Sequence, residues 1–389
     1  MVLTDREVAV LQLAHSRPGI SRADAARALG ISTGGASQLV ATLVQAGLLA
    51  EGAAVSSGAR GRPTRALLAA ARGPLAIAAQ LTHEFWQLDV LEVGGAAVAT
   101  ERARHSGPDD PGGERTLAAM AAQVQRLVRA FPHRIRGLGV SAPGTILDGH
   151  RLTAVGLGWR DVDLRQIWPD AGLLYADNDA TLGGLAESMR GAAVGARLGL
   201  HLRIDAGAGG ALVENGHVVR GAQGIGGEFG HLPFGDPAIR CPCGARGCWG
   251  TSVDGSALAR LLHDDPPADS VTYADRVLAR AVAGNERAFG AVRTVAANLG
   301  RGLAGLVNAV DPDVVTVAGL APRILAVAPD QVQRSYLAGL MELRRKDPIP
   351  IQAAGLGEAG PLVGAAEQVW SLLWRQLQSG SSGSGRQSG

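Results

Sequence analysis

The chain has 389 residues, more than one ordinary hydrophobic core holds at about 100–200 residues per domain, so two or three units are expected. With 46% hydrophobic and 19% charged residues it has the composition of a soluble globular protein, and no apolar run reaches the roughly 18 residues that would cross a bilayer, which excludes a membrane span. The formal net charge is only +2, yet residues 1–72 hold eight Arg against four acids, so the positive excess sits at the N-terminus and the remainder is slightly acidic.

The opening stretch carries Asp5 and Glu7 where a secretory signal would have a basic segment followed by an apolar one, so a cytoplasmic location is expected. Thr4 with Glu7 makes a capping box that opens a first helix; Val8, Leu11 and Leu13 face a core, and Pro18-Gly19 ends it. Ser21 with Asp24 repeats the pattern for a short second helix carrying Ala25, Ala26 and Leu29 and stopping at Gly30. After the turn Gly30-Ile31-Ser32 a third helix runs from Thr33 to Ala46, burying Ala36, Leu39, Val40 and Leu43 and stopping at Gly47. Its outward face offers Thr33, Ser37, Gln38 and Thr42.

Two short helices joined by a glycine-containing turn are the helix-turn-helix layout, which makes the third helix the candidate to enter a DNA major groove. Leu48 to Glu51 and then Ser56 to Leu67 read as strand, glycine-rich basic loop and strand, a wing. Arg60, Arg62 and Arg65 can neutralise phosphates of a double-stranded operator, while the Ser and Thr hydroxyls reach phosphate or base edges. The alternative is a three-helix interaction module whose arginines only solvate its surface; the basic wing favours DNA.

From Gly73 the pattern changes to strands alternating with helices, as at Ile135–Ser141, Leu173–Ala176 and the helical stretch from Asp179, so an α/β body follows. All three cysteines, Cys241, Cys243 and Cys248, fall within eight residues, a poor arrangement for stapling a secreted fold. With His231 ten residues earlier they supply three thiolates and one imidazole, the ligand set of a closed, structural tetrahedral Zn2+ site. Gly244 and Gly247 let the loop curl so that the sulfurs converge; three buried free thiols are the alternative.

Several ordered motifs now stand together: Gly137 to Gly144, Gly158-Trp159-Arg160-Asp161-Val162, Asp177-Asn178-Asp179-Ala180 through Glu187, Gly221 through His231, and Cys241 to Cys248. In this order they resemble the ROK family of repressors, open reading frames and kinases, over residues 1 to about 378. The resemblance implies a winged helix-turn-helix, all-α apart from its wing, over 1–70, followed by an actin-like (ASKHA, ribonuclease H-like) bilobed α/β domain over 73–378. Its lobes would span roughly 73–185 and 186–355 with a C-terminal helix at 361–376, and 379–389 reads as a flexible Gly/Ser tail. It also implies zinc on His231, Cys241, Cys243 and Cys248, and sugar contacts from Asn178, Asp179, Glu228 and His231.

Family kinases use as general base the Asp that follows Asn, matched here by Asp179, so a vestigial base remains. The phosphate cradle is what departs. Ala78 to Glu84 lacks the glycine of the first phosphate turn, Asp205-Ala206-Gly207 replaces Gly-Thr-Gly in the second, and Val317-Ala318-Gly319-Leu320 lacks consecutive glycines for the adenosine. No carboxylate stands at Gly250, two residues after the last cysteine, and Trp249 beside it reads as packing. Asp179 can equally serve as an N-cap acid. The expectation is a regulator without kinase activity: a homodimer or homotetramer on a DNA operator, released by a sugar, amino sugar or oligosaccharide, with a sugar kinase carrying an added DNA-binding module as the rival.

Overall fold

The computed structural model describes residues 2–55, 64–105 and 109–378. Helix α1 (Asp5–Ser16) begins where the Thr4 hydroxyl accepts the Glu7 amide proton and the Glu7 carboxylate accepts that of Thr4. Helix α2 (Arg22–Ala28) starts on Ser21, which accepts from the Asp24 amide, and α3 (Thr33–Gln45) on Ser32, which accepts from Gly35. Val8, Leu11, Ala25, Ala36, Val40 and Leu43 are buried, while Leu13 and Leu39 are only partly so. Strands β1 (Leu49–Val55) and β2 (Thr64–Ala69) pair antiparallel and complete a winged helix-turn-helix. Arg60, Arg62 and the tail 379–389 lie outside the described residues.

The body opens with an antiparallel meander, β3 (Leu75–Leu81), β4 (Phe85–Glu92) and β5 (Ala97–Arg104). Helix α4 (Glu114–Ala130) leads to β6 (Ile135–Ala142), which lies parallel to β3. A small antiparallel sheet of β7 (Thr145–Leu147), β8 (Arg151–Ala154) and β9 (Trp159–Asp163) intervenes before β10 (Leu174–Asn178) joins β6 in parallel. Helix α5 (Asp179–Arg190) leaves β10 directly. All seven residues of β3 are buried because its sheet is covered on both faces, as a near-continuous apolar strand requires.

The second sheet repeats the plan. Strands β11 (Leu198–Ile204), β12 (Ala208–Glu214) and β13 (His217–Val218) form a meander. Helices α6 (Gly255–Leu262), α7 (Ser270–Val282) and α8 (Glu286–Val310) pack together before β14 (Val314–Gly319) pairs parallel to β11. Helices α9 (Leu320–Val327), α10 (Pro329–Gly339) and α11 (Glu342–Lys346) then lead to β15 (Ile351–Ala353), parallel to β14. The orders β10-β6-β3-β4-β5 and β15-β14-β11-β12-β13 are the same topology twice, the duplicated α/β plan of an actin-like body.

The last helix, α12 (Gly360–Gln378), returns to β3 and β6 of the first lobe, packs also on α5, which lies against β11 and β12 of the second sheet, and touches α1. Leu3, Val10, Leu11 and Ala14 of the N-terminal unit thereby share one apolar cluster with Val369, Trp370, Leu373 and Trp374. The Leu3 amide donates to the Leu377 carbonyl at 2.9 Å. Among the described residues no helix is long and apolar enough to cross a membrane.

Candidate functional site

The cleft between the lobes is built where β10 runs into α5. Asn178, with φ −61° and ψ 143°, is still extended, so its side chain folds back over the first helical turn and accepts the Ala180 and Thr181 amides at 2.9 and 3.3 Å. The helix cap is therefore Asn178 and not Asp179, which corrects the capping role weighed for the latter. The Asn178 amide also donates to the Gly144 carbonyl at 2.9 Å, leaving one of its hydrogens for a ligand. Asp179 is the first helical residue; burial raises its pKa, against the pull of Arg203, whose Nε lies 3.9 Å from its carboxylate.

Arg203 is the group that the sequence did not single out. It rises from β11 between Asp205, whose carboxylate accepts from its Nε at 2.6 Å, and Glu358, which accepts from its Nη2 at 2.6 Å. It is 6% exposed, and its Nη1 has no hydrogen-bond partner. Burial pushes the Asp205 carboxyl up to about 7, with Arg203 opposing the rise. A lone arginine inside the apolar stretch Leu198–Ile204 was the available signal, since an unpaired charge is rarely buried.

Two cavities meet at a wall of His83, Pro143, Asp179, Arg203 and Asp205. The first, of about 730 Å³, is lined by all four residues expected to contact an effector, Asn178, Asp179, Glu228 and His231. Burial raises the pKa of Glu228, and its carboxylate lies 3.7 Å from His231 Nε2. Gly250 also lines this cavity, and a Cβ there would lie 3.3 Å from the Gly230 carbonyl oxygen, so the absent carboxylate leaves little free space behind it. Trp249 is fully buried and donates to the Asn298 carbonyl at 3.0 Å, so it packs and does not line the cleft. The second cavity, of about 660 Å³, runs along the sheet past Gln80 and Gln87 to Arg190 and Glu367. The turn Asp205-Ala206-Gly207 borders the first, and Glu84 and Glu358 border the second.

His231, Cys241, Cys243 and Cys248 converge, with their four candidate ligand atoms all within 4.8 Å of one another. The Cys241 sulfur is 3.7 Å from His231 Nδ1, and the Cys243 and Cys248 sulfurs are 3.7 Å apart. Zinc–sulfur and zinc–nitrogen bonds of about 2.3 and 2.0–2.1 Å set tetrahedral edges of roughly 3.5–3.8 Å; these two separations match such edges, and the donor chemistry of the set fits a metal ion. Gly244 and Gly247, at φ +100° and +71°, supply the left-handed turns that wrap the loop. Because His231 faces the cysteines through Nδ1 and Glu228 through Nε2, one imidazole borders both the metal cluster and the cleft.

On the N-terminal unit, Thr33, Gln38 and Thr42 are exposed along α3 and Ser37 is half-buried. The Ser37 and Thr42 hydroxyls donate to the Thr33 and Gln38 carbonyls within the helix at 2.9 and 3.2 Å, which leaves their oxygens as outward acceptors. Arg65 stands exposed on β2, 3.8 Å from Glu51, which also pairs with Arg22 at 2.9 Å.

Comparison with known proteins gives a consistent picture. The chain is 33% identical over 271 residues to the kanosamine kinase of Amycolatopsis mediterranei, spanning 68% of this chain and 84% of that one. It is 32% identical over 200 residues to a glucokinase of Halalkalibacterium halodurans, a match covering 47% of this chain and 61% of the glucokinase's length. To the xylose repressor of Bacillus subtilis it is 25% identical over 303 residues, 76% of this chain and 77% of the repressor. In fold it matches a ROK family transcriptional regulator described as a homologue of the E. coli MLC protein, with a TM-score of 0.73, 19% identity and coverage of 95% and 96% of the two chains. A ROK hexokinase from Thermus thermophilus matches with a TM-score of 0.61 and 28% identity over 77% of this chain and 99% of that one. A MarR family model matches residues 3–60, and the ROK family model matches residues 93–371, so this chain belongs to the ROK family and carries a MarR-type helix-turn-helix region ahead of its ROK domain.

Proposed function

We propose that this chain is a sequence-specific transcriptional repressor of the cytoplasm, relieved by a sugar or sugar-derived effector bound in a kinase-derived cleft, and that it does not phosphorylate that sugar. The observation that carries the reading is the winged helix-turn-helix sharing a core with a ROK body whose base position, Asp179, faces Arg203. In a kinase that carboxylate must accept a hydroxyl proton while glycine-rich turns receive phosphate. Here Asp205 replaces a glycine of the second turn and shares the Arg203 guanidinium with Asp179 and Glu358, so the turn offers a carboxyl group and no hydroxyl donor where phosphate would be received.

On this reading Asn178, Asp179, Glu228 and His231 hold the hydroxyls of a pyranose, and zinc on His231 and the three cysteines fixes the loop that presents two of them. Thr33, Ser37, Gln38 and Thr42 face the major groove, and Arg60, Arg62 and Arg65 of the wing contact phosphates or the minor groove. A homodimer, or a pair of dimers, would set two such units on a palindromic operator. Anisotropy titration on the chain's own upstream DNA, with and without xylose, glucose and amino sugars, tests this: tight binding released by one sugar supports it, and absence of specific binding defeats it.

The retained Asp179 and the kinase relatives favour a second reading, a sugar kinase with an added DNA-binding module. It requires ATP-dependent phosphorylation of glucose or kanosamine that disappears on Asp179→Asn.

A further inference from the structure

We infer that Arg190, His15 and Glu367 form the joint through which the state of the cleft reaches the DNA-reading helices, with α5 as the rod that carries it; this rests on the ligand-relieved repressor reading above. The twelve residues of α5 begin at Asp179 in the wall of the cleft and end at Arg190, roughly 17 Å away at about 1.5 Å per residue.

At the far end four chain segments meet: α1, the turn between β4 and β5, α5 and α12. The Arg190 Nε donates to the Glu367 carboxylate, its Nη2 to the His15 carbonyl at 3.1 Å and its Nη1 to the Gly94 carbonyl at 3.3 Å. His15 Nδ1 accepts the Gly94 amide proton at 2.9 Å, and its Nε2 lies 3.1 Å from the Glu367 carboxylate and 2.8 Å from Arg190 Nη2. His15 and Glu367 are each 3% exposed, and the Trp370 and Trp374 rings stand 5.3 and 5.8 Å from the imidazole. Among the described residues, every buried or part-buried side-chain hydrogen bond between the N-terminal unit and the body involves His15.

The two ends of this joint belong to different lobes. Glu187, three residues before Arg190, accepts the amides of Ala192, Gly355 and Leu356, which ties the end of α5 to the second lobe. Gly94 and α12 belong to the first lobe, and His15 to the reading unit. A change in the angle between the lobes therefore moves Arg190 against its partners. Apolar contacts tolerate sliding, whereas a largely buried fork of directional hydrogen bonds holds one arrangement or breaks, which makes the joint two-state. The second cavity runs between these points, lined by Asp179 and Arg203 at one end and Arg190 and Glu367 at the other.

The test compares wild type with Arg190→Met and, should that variant fail to fold, Glu367→Gln. In the first arm, DNA affinity is measured with xylose, glucose or kanosamine present and absent, and sugar affinity is measured on DNA-free protein. A sugar that weakens wild-type DNA binding tenfold or more is expected to weaken that of the variant less than about threefold, with sugar affinity unchanged within about twofold. An undiminished sugar effect overturns the inference. The second arm needs no sugar: hydrogen exchange of the α1 amides is expected to speed up about tenfold or more in the variant while β11 and β14 stay protected. If α1 protection and sugar-free DNA affinity both stay at wild-type values, the joint is not there. Should no sugar release wild-type protein, the repressor reading falls and the second arm still decides on the joint.

Discussion

Asp205 holds its proton longer in the folded chain than in the unfolded one, because burial lifts its carboxyl to about 7. An unfolded aspartate titrates near about 3.9, so between about pH 4 and pH 7 the folded state binds more protons, and this group's contribution to stability falls as pH rises, by at most about 1.4 kcal/mol per pH unit. Asp205→Asn removes that slope. Urea unfolding followed from pH 4.5 to 7.5 should show the variant's stability declining less steeply than wild type; parallel pH profiles would reject the assignment. The same residues show what a linear sequence encodes only weakly. Asp179 and Asp205 stood out because each occupies a family motif, but their partner Arg203 gave only the weak signal of a charge in an apolar strand, and Glu358 gave none. Asn178 and Asp179 are both competent caps one residue apart, and only the backbone angle of Asn178 decides between them.

Elements were more legible than their meetings. Thr4 with Glu7 and Ser21 with Asp24 are contacts across three residues, so the helix starts could be written from the chain alone. The cysteine cluster was legible for the same reason, with its far ligand only ten residues away. The crossing of α5 and α12 was not, although it depends on single atoms: a Cβ at Gly364 would sit 2.1 Å from the Leu182 carbonyl oxygen. Gly364→Val should therefore destabilise the protein by about 1–3 kcal/mol or more, read as a lower urea midpoint at unchanged slope. Wild-type protein should carry one zinc per chain by elemental analysis, and Cys248→Ser or chelation should remove it and lower Tm by roughly 5 °C or more. Preserved Tm after complete metal loss would remove zinc from the structural account.

At the scale of the whole molecule, the shared cluster of α1 and α12 and the buried His15 joint bind the reading unit and the first lobe into one cooperative block. Calorimetry should show no separate transition for the N-terminal unit, and Trp370→Ala, at a cost of about 3–5 kcal/mol, should split one off. His15 and Glu367 are 352 residues apart, a separation that no local pattern encodes. The contact of α1 with α12 also sets an order of events during translation. The N-terminal unit leaves the ribosome before the body and waits with the apolar side of α1 bare until α12 emerges. A chain broken off before Trp370 would present an N-terminal unit with an unfinished core, prone to proteolysis, so under the proposed function premature termination would not release a working operator binder that has lost its sensor.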